Sequence, residues 1–225
     1  MYSSKHRCAA IICATLMAVS CASYTPQPPT LLRFQSTAVR GEHLGFGVGV
    51  SPHLDPQRNQ EVFQADLKRA GILPLQIVVR NHSTNAVAIS RQSFRLRYAD
   101  GAEQLPAAPD EVAAQLESSA GVIGWTLAFG LTGFLASSAQ QGEAERARRA
   151  DLRNKELWDV TLKPGDTVQG FVFYLVPTNL SGDIKATLTV SAAMAPAAQE
   201  IRLQLDLADL GFWPEANRSR SRNEP

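Results

Sequence analysis

The chain is short of the residues that do chemistry. Among its 225 residues are three cysteines and four histidines, and aromatic residues make up 7%. No HExxH, CxxC or paired-histidine spacing occurs, nor a GxSxG elbow or a GxxxxGK[ST] loop. The recognisable zinc hydrolases, thiol oxidoreductases, serine hydrolases and nucleotide-binding enzymes are thereby excluded, and no metal or other cofactor is predicted. One accessory metal-dependent hydrolase remains conceivable, on His43 and His53 with Asp55 nearby. Trp125, Trp158 and Trp213 lie too far apart to define an aromatic binding box. Charge of one sign is also lacking: 22 basic residues face 21 acidic ones. A chain this close to neutral has no electrostatic case for nucleic acid.

What is present begins at the first residue. Lys5 and Arg7 precede an apolar run from Cys8 to Val19. That run has the length of a signal-peptide core and is short for a membrane span. It closes in "AVSC", with Cys21 after Ala18, Val19 and Ser20. This resembles the lipobox of bacterial lipoproteins, with Ala18 in place of the usual leading Leu. The resemblance implies cleavage before Cys21, diacylglycerol on its thiol and a further acyl group on its amine. An ordinary secretory signal cut near Ala22 and an uncleaved anchor are the alternatives. Cleavage would leave Cys21 as the one cysteine, so disulfides are expected to add nothing to the fold. Two or more acyl chains anchor stably, each buried methylene contributing about 0.8 kcal/mol. By the same resemblance, Ala22 after the cysteine, where Asp would favour retention, points to the outer membrane facing the periplasm.

Residues 1–20 therefore read as a signal peptide and 21–30 as an extended, Pro-rich tether, "ASYTPQPPT" from Ala22 to Thr30. Residues 31–210 read as one β-sandwich domain interrupted by a helical insertion at about 110–156. Residues 211–225 read as a disordered, basic tail. In "LGFGVGV", Gly45, Gly47 and Gly49 have the wrong spacing for a phosphate loop and predict a strand packed closely on neighbouring backbone. Asp55, Pro56 and Gly71 bracket a short amphipathic helix near 56–70, with Val62, Phe63, Leu67 and Ala70 on one face. Strands are predicted at Gln76–Arg80, Ala86–Ser90 and Phe94–Tyr98, with turns at Asn81–Asn85 and around Gly101. Later strands are predicted at 160–162, Val168–Val176, Asp183–Ser191 and Gln199–Leu207, with "KPGD" as a turn. Asp110 and Glu111 before "VAAQLE" form a helix-start signal.

The stretch "LQIVVRNHSTNAVAI…FRLRYADG", followed by "VTLKPGDTVQGFVFYLVP", resembles immunoglobulin-like modules of uncharacterised bacterial lipoproteins. Asn81, Gly101, Pro164, Gly165, Gly170, Phe171, Phe173 and Pro177 carry the likeness, which covers roughly residues 72–178. It implies an antiparallel immunoglobulin-like sandwich and no catalytic residue. The cysteine bridge and core tryptophan of antibody domains are absent.

One segment fits none of this. Ser118–Gln141 carries no charge and sits between soluble-looking strands. As a helix, it places Gly124, Ala128, Thr132 and Ala136 in one row four apart, and Leu127, Leu131 and Leu135 in another. Small-xxx-small spacing lets two helix backbones approach closely. Four glycines cost about 1 kcal/mol each relative to Ala in a helix, so close packing should recover the loss. Three readings stay open. The first is a bitopic inner-membrane span at about 120–138, followed by the cations Arg146, Arg148, Arg149, Arg153 and Lys155. The second is a re-entrant or self-associating helical hairpin. The third is a helix folded back on its own sandwich. "EAERARRADLRNKELW" is expected to continue as a solvated helix with a Glu145–Arg149 pair, or to touch anionic headgroups.

The expectation is thus a mainly β protein: an immunoglobulin-like antiparallel sandwich, a short N-terminal helix and an inserted hydrophobic-to-charged helix or hairpin. It is expected to be non-enzymatic and lipid-anchored. The insertion would contact a membrane, a second copy or an envelope protein.

Overall fold

A computed structural model describes residues 27–123, 138–176, 185–195 and 197–207. Among them the protein is mainly β, with antiparallel sheets and three α-helices. Sheet one runs β1 (Val39–His43), β2 (Phe46–Pro52), β3 (Ile72–Asn81), β8 (Thr167–Leu175). In sheet two the long β9 (Lys185–Met194) pairs along its length with β10 (Gln199–Asp206). It also pairs with β5 (Phe94–Tyr98) at Ala186–Val190 and with β4 (Val87–Ile89) at Ala193–Met194. The short β6 (Glu103–Gln104) lies on β5, and β7 (Val160–Leu162) on β4.

The two sheets share one core. Phe46, Val48 and Val50 of β2, Leu73, Leu75, Ile77 and Val79 of β3, and Val172 and Tyr174 of β8 meet Leu188 and Val190 of β9 and the alternating Ile201, Leu203 and Leu205 of β10. Period-two alternation sets which side chains enter it. Tyr98 Oη donates to Gln104 Oε1 (2.9 Å), and Gln104 Nε2 donates to Leu175 O (2.8 Å), which ties β6 to β8 in the other sheet. Tyr174 is fully buried, and its hydroxyl has no hydrogen-bond partner among the described residues. Removing a buried polar group that bonds to nothing releases its desolvation cost, about 1–3 kcal/mol. Tyr174→Phe is therefore expected to raise the urea midpoint, by roughly 1 kcal/mol of stability. A loss of that size would mean that the hydroxyl has a partner.

Sheet one is buried on its other face as well. Ile72 of β3 and Phe171 and Phe173 of β8 point away from sheet two, into a second core. It is completed by Val62 and Phe63 of α1 (Pro56–Phe63), Leu67, Ala70, Ala107, Val112, Ala113 and Leu116 of α2 (Pro109–Ile123), and Leu152 of α3 (Ser138–Lys155). A strand covered on both faces reads as a continuous apolar run, which explains "ILPLQIVV". The layers are thus helices, sheet one, sheet two.

Several expectations need correction. The helix expected over 56–70 ends at Phe63, because Gln64 turns left-handed (φ 49°). Leu67 and Ala70 reach the second core from a turn held by Asp66, whose Oδ1 accepts from Arg69 N (3.0 Å). The strand expected from Gln76 starts at Ile72, with Pro74 inside it. The glycine-rich stretch does approach its neighbours closely: Gly45 meets backbone as expected, a Cβ there lying 2.8 Å from Ser83 N, whereas Gly47 and Gly49 meet side chains. A Cβ on Gly49 would lie 2.5 Å from Thr37 Oγ1, and one on Gly47 would lie 2.9 Å from Arg80. Gly101 and Gly165 turn with φ of 87° and 90°, as their sequence positions suggest.

Strands from before and after the insertion share both sheets: β3 pairs with β8, β4 with β7 and β5 with β9.

Candidate functional site

The insertion leaves the body as α2 and returns as α3. Val112, Ala113 and Leu116 seat α2 on Phe171 and Phe173. Asp110 and Glu111 open α2 as expected, though Glu111 does the capping: its carboxylate accepts from Ala108 N (2.7 Å). Asp110 instead binds Arg153 of α3 (2.8 Å), and Glu117 binds Arg149 (2.8 Å). These two cross-pairs fix α2 and α3 antiparallel. Arg149 therefore finds its hydrogen-bond partner on α2, where the sequence suggested Glu145. That Glu117 bond, with its Coulomb attraction, holds the guanidinium above its ordinary pKa.

Beyond Leu116 no described α2 side chain is buried, and Glu143, Glu145, Arg146 and Ala147 of α3 are exposed. The outer parts of the two helices thus pair with each other and bury little else, as a stalk. Ile123 and Ser138 lie at the same end of it, about 25 Å along α3 from Lys155. The apolar segment between them starts and finishes on one side of the body. The contact residues expected there, Gly124, Leu127, Ala128, Leu131, Thr132, Leu135 and Ala136, lie outside the described residues. So do Cys21, the remaining signal-peptide positions and the tail. Among the described residues no helix is long and apolar enough to cross a membrane.

The charged half of α3 is less open to solvent than its composition suggests. Lys155 is 7% exposed. Its ammonium pairs with Asp151 and donates to Val62 O (2.6 Å), a carbonyl of the last turn of α1. It also stands 5.5 Å from the Phe63 ring centre. Three of the five cations expected to face water or headgroups are thus spent on protein carboxylates. The arrangement is a brace between helices.

The histidine grouping does not assemble. His43 and His53 sit at opposite ends of β2, roughly 20 Å apart along the strand. Asp55 caps α1, its Oδ1 accepting from Gln57 N (2.8 Å) and Arg58 N (3.1 Å). The Arg58 N–H bond chiefly, and the Gln57 one after it, holds the carboxyl below its usual range. His53 Nδ1 lies 2.9 Å from Asn59 Oδ1, and its ring stands edge-on to Phe63 (5.9 Å) and Phe171 (5.5 Å). It is a packed side chain at the rim of the second core. Among the described residues no group of three or more His, Cys, Asp or Glu side chains is placed to hold a metal ion.

A second surface feature leaves no mark in the local sequence pattern. The solvent face of sheet two carries a shallow, open depression of about 650 Å³, lined among others by Ala88, Ser90, Arg95, Thr161, Ser191 and Ala193. Arg95 on its wall is held by Glu103 (2.8 Å), whose carboxyl Arg95 and then Arg97 pull below the usual range. Trp158, 63% exposed, precedes Asp159 on the rim. Small residues make much of the floor, and Arg95 is already paired.

No protein-family model matches the chain, and no curated protein matches it. Two solved structures are similar in outline. One is the yjhA protein from Bacillus subtilis, at 11% identity and a TM-score of 0.35, covering 68% of this chain and 78% of that one. The other is the putative ApaA protein from Bordetella pertussis, at 13% identity and a TM-score of 0.33, covering 71% and 89% respectively.

Proposed function

We propose that this is a lipid-anchored, non-enzymatic protein of the bacterial envelope. In this reading it is held to the outer membrane through Cys21 and faces the periplasm. The body is an immunoglobulin-like sandwich whose helical insertion mediates self-association, with membrane contact as its second use. The observation that carries the role of the insertion is the antiparallel α2–α3 stalk, which brings Ile123 and Ser138 to one end. Both ends of an uncharged, small-residue-rich segment are then offered on one side of the body. This supports a re-entrant or self-associating tip over a single crossing at 120–138, which would part strands that pair with one another. Close helix approach through Gly124, Ala128 and Ala136 would recover the cost of the glycines.

Replacing Gly124 and Ala128 together by Leu is expected to reduce the oligomer measured by light scattering in detergent. An oligomer of unchanged size would remove self-association from the reading. Vesicle flotation of the Cys21→Ser protein, with and without that double change, then separates a tip that binds copies from a tip that binds lipid.

A further inference from the structure

The polar stretch before the body is no free tether over its whole length. Gln27 N donates to Glu61 O on α1 (3.2 Å). Three residues on, Thr30 O accepts from Gln76 Nε2 (2.8 Å), and Leu32 N donates to Gln169 Oε1 (3.0 Å). Gln76 and Gln169 belong to β3 and β8, so the segment crosses sheet one beside the helices. It then buries Phe34 under the Arg80 guanidinium, 3.8 Å from the ring centre, and Arg80 is itself held by Glu42. Thr37, 5% exposed, lies over Gly49, and its hydroxyl donates to Phe34 O (2.8 Å). Residues 27–37 form a strap seated by backbone bonds, two glutamines and a buried ring.

We propose that this strap sets how the protein stands on a lipid surface, with the helical layer against the bilayer and the solvent face of sheet two turned away. The proposal rests on the reading of Cys21 as the lipidated residue. Only five residues, 22–26, then lie between Cys21 and Gln27, and the six steps reach about 20 Å when fully extended. The strap starts at α1, so α1 and its neighbours are the surface held within that reach. Sheet two lies a further two layers away, about 20 Å. Had the chain been free to residue 37, the reach would exceed 50 Å and any face could meet the membrane. The orientation follows from reach and needs no contribution from charge. On the helical layer Arg149, Arg153 and Lys155 are paired with Glu117, Asp110 and Asp151.

The test uses the full-length lipidated protein in vesicles that carry a headgroup quencher. A fluorophore is placed at Arg58→Cys on α1 or at Arg202→Cys on the solvent face of sheet two; both positions are exposed. Strong quenching at position 58 and none at 202, unchanged by high salt, is the expected result. A Leu32→Pro, Phe34→Ala variant removes one strap donor and the buried ring, and the difference between the positions should then vanish. Equal quenching in the parent overturns the proposal, as does a difference that survives in the strap variant. Energy transfer between copies labelled at position 58, without quenching there, would assign that face to a second copy and also overturn it. Intact mass is read on the same samples. An unmodified Cys21 would bring down the lipid-anchor reading together with this inference, whereas equal quenching with lipid present brings down the orientation alone.

Discussion

Lys155→Met is expected to destabilise the protein by about 3–5 kcal/mol, although the change keeps the length and the apolar stem of the side chain. The ammonium is buried between two helices, paired with Asp151 and bonded to Val62 O. Its loss takes the ammonium from a carboxylate whose side chain is 14% exposed, and the donor from a carbonyl in the last turn of α1. Removing one member of a buried ion pair costs more than the pair contributes, because the remaining charge keeps its desolvation penalty. The double variant Lys155→Met, Asp151→Leu should therefore regain most of the loss. Urea midpoints of the two singles and the double give the coupling directly. Hydrogen exchange adds a local readout, since α1 amides should lose protection in the single variant first. A single variant within about 1 kcal/mol of the parent would mean that the lysine tip reaches water.

The other large effect is expected at Asn81. It is fully buried at the end of β3 and uses its whole side chain. Nδ2 donates to Asn85 O (2.8 Å) and to Leu162 O (3.0 Å), while Oδ1 accepts from Ser83 N (3.0 Å) and Ser83 Oγ (2.6 Å). Its backbone also bonds to Asp166 O and Gly165 N. One residue thus joins the turn after β3, the end of β7 and the turn before β8. Asn81→Leu leaves the buried Leu162 carbonyl and the Ser83 N–H without partners, at about 1–3 kcal/mol each, offset in part by added apolar contact, while the exposed Asn85 carbonyl keeps its bond from Ser83 Oγ. A loss of roughly 3 kcal/mol is the outcome expected from chemical denaturation. Asn81→Asp keeps the two acceptor bonds but turns the Nδ2 donors into a buried charge facing carbonyls, so it should be no better tolerated at neutral pH. If Asn81→Leu proved neutral, the Asn-containing turn would owe its sequence to something other than stability.

Much of the fold was legible because one face of each strand is wet. Arg95 and Arg97 between Phe94, Leu96 and Tyr98 announce β5, and β10 announces itself through Ile201, Leu203 and Leu205. Pattern reading fails where that asymmetry is absent. β3 is covered on both sides, so its first residues carry no alternation and Pro74 looks like a stop. β1 is mostly exposed, and what marks it is Gly41, where a Cβ would lie 2.8 Å from Ile201. That is a contact with a strand some 160 residues away, which no local window contains. The end of α1 was missed because a glutamine takes the left-handed position where Gly or Asn is usual. Lys155 was misread for a related reason: nothing in "RADLRNK" tells a buried cation from a solvated one. The insertion was legible as an anomaly from composition alone. Its antiparallel course depends on Glu117 and Asp110 meeting arginines more than thirty residues on, so it was not.

The pairing of β3 with β8 also governs how the chain must assemble. Ile72 faces Leu175 across roughly a hundred residues, and this ladder is the middle of the molecule. Contacts so distant in sequence require a large loop to close before they return any free energy, and they form late. The loop contains α2 and α3, which can pair locally beforehand through their two arginine–carboxylate links and so shorten the distance the strands must search. Until closure, Phe171 and Phe173 face water on an unpaired strand, the state in which a folding chain is most exposed to aggregation. Those two aromatics are therefore the part of the second core that stays uncovered until the two ends of the loop have met.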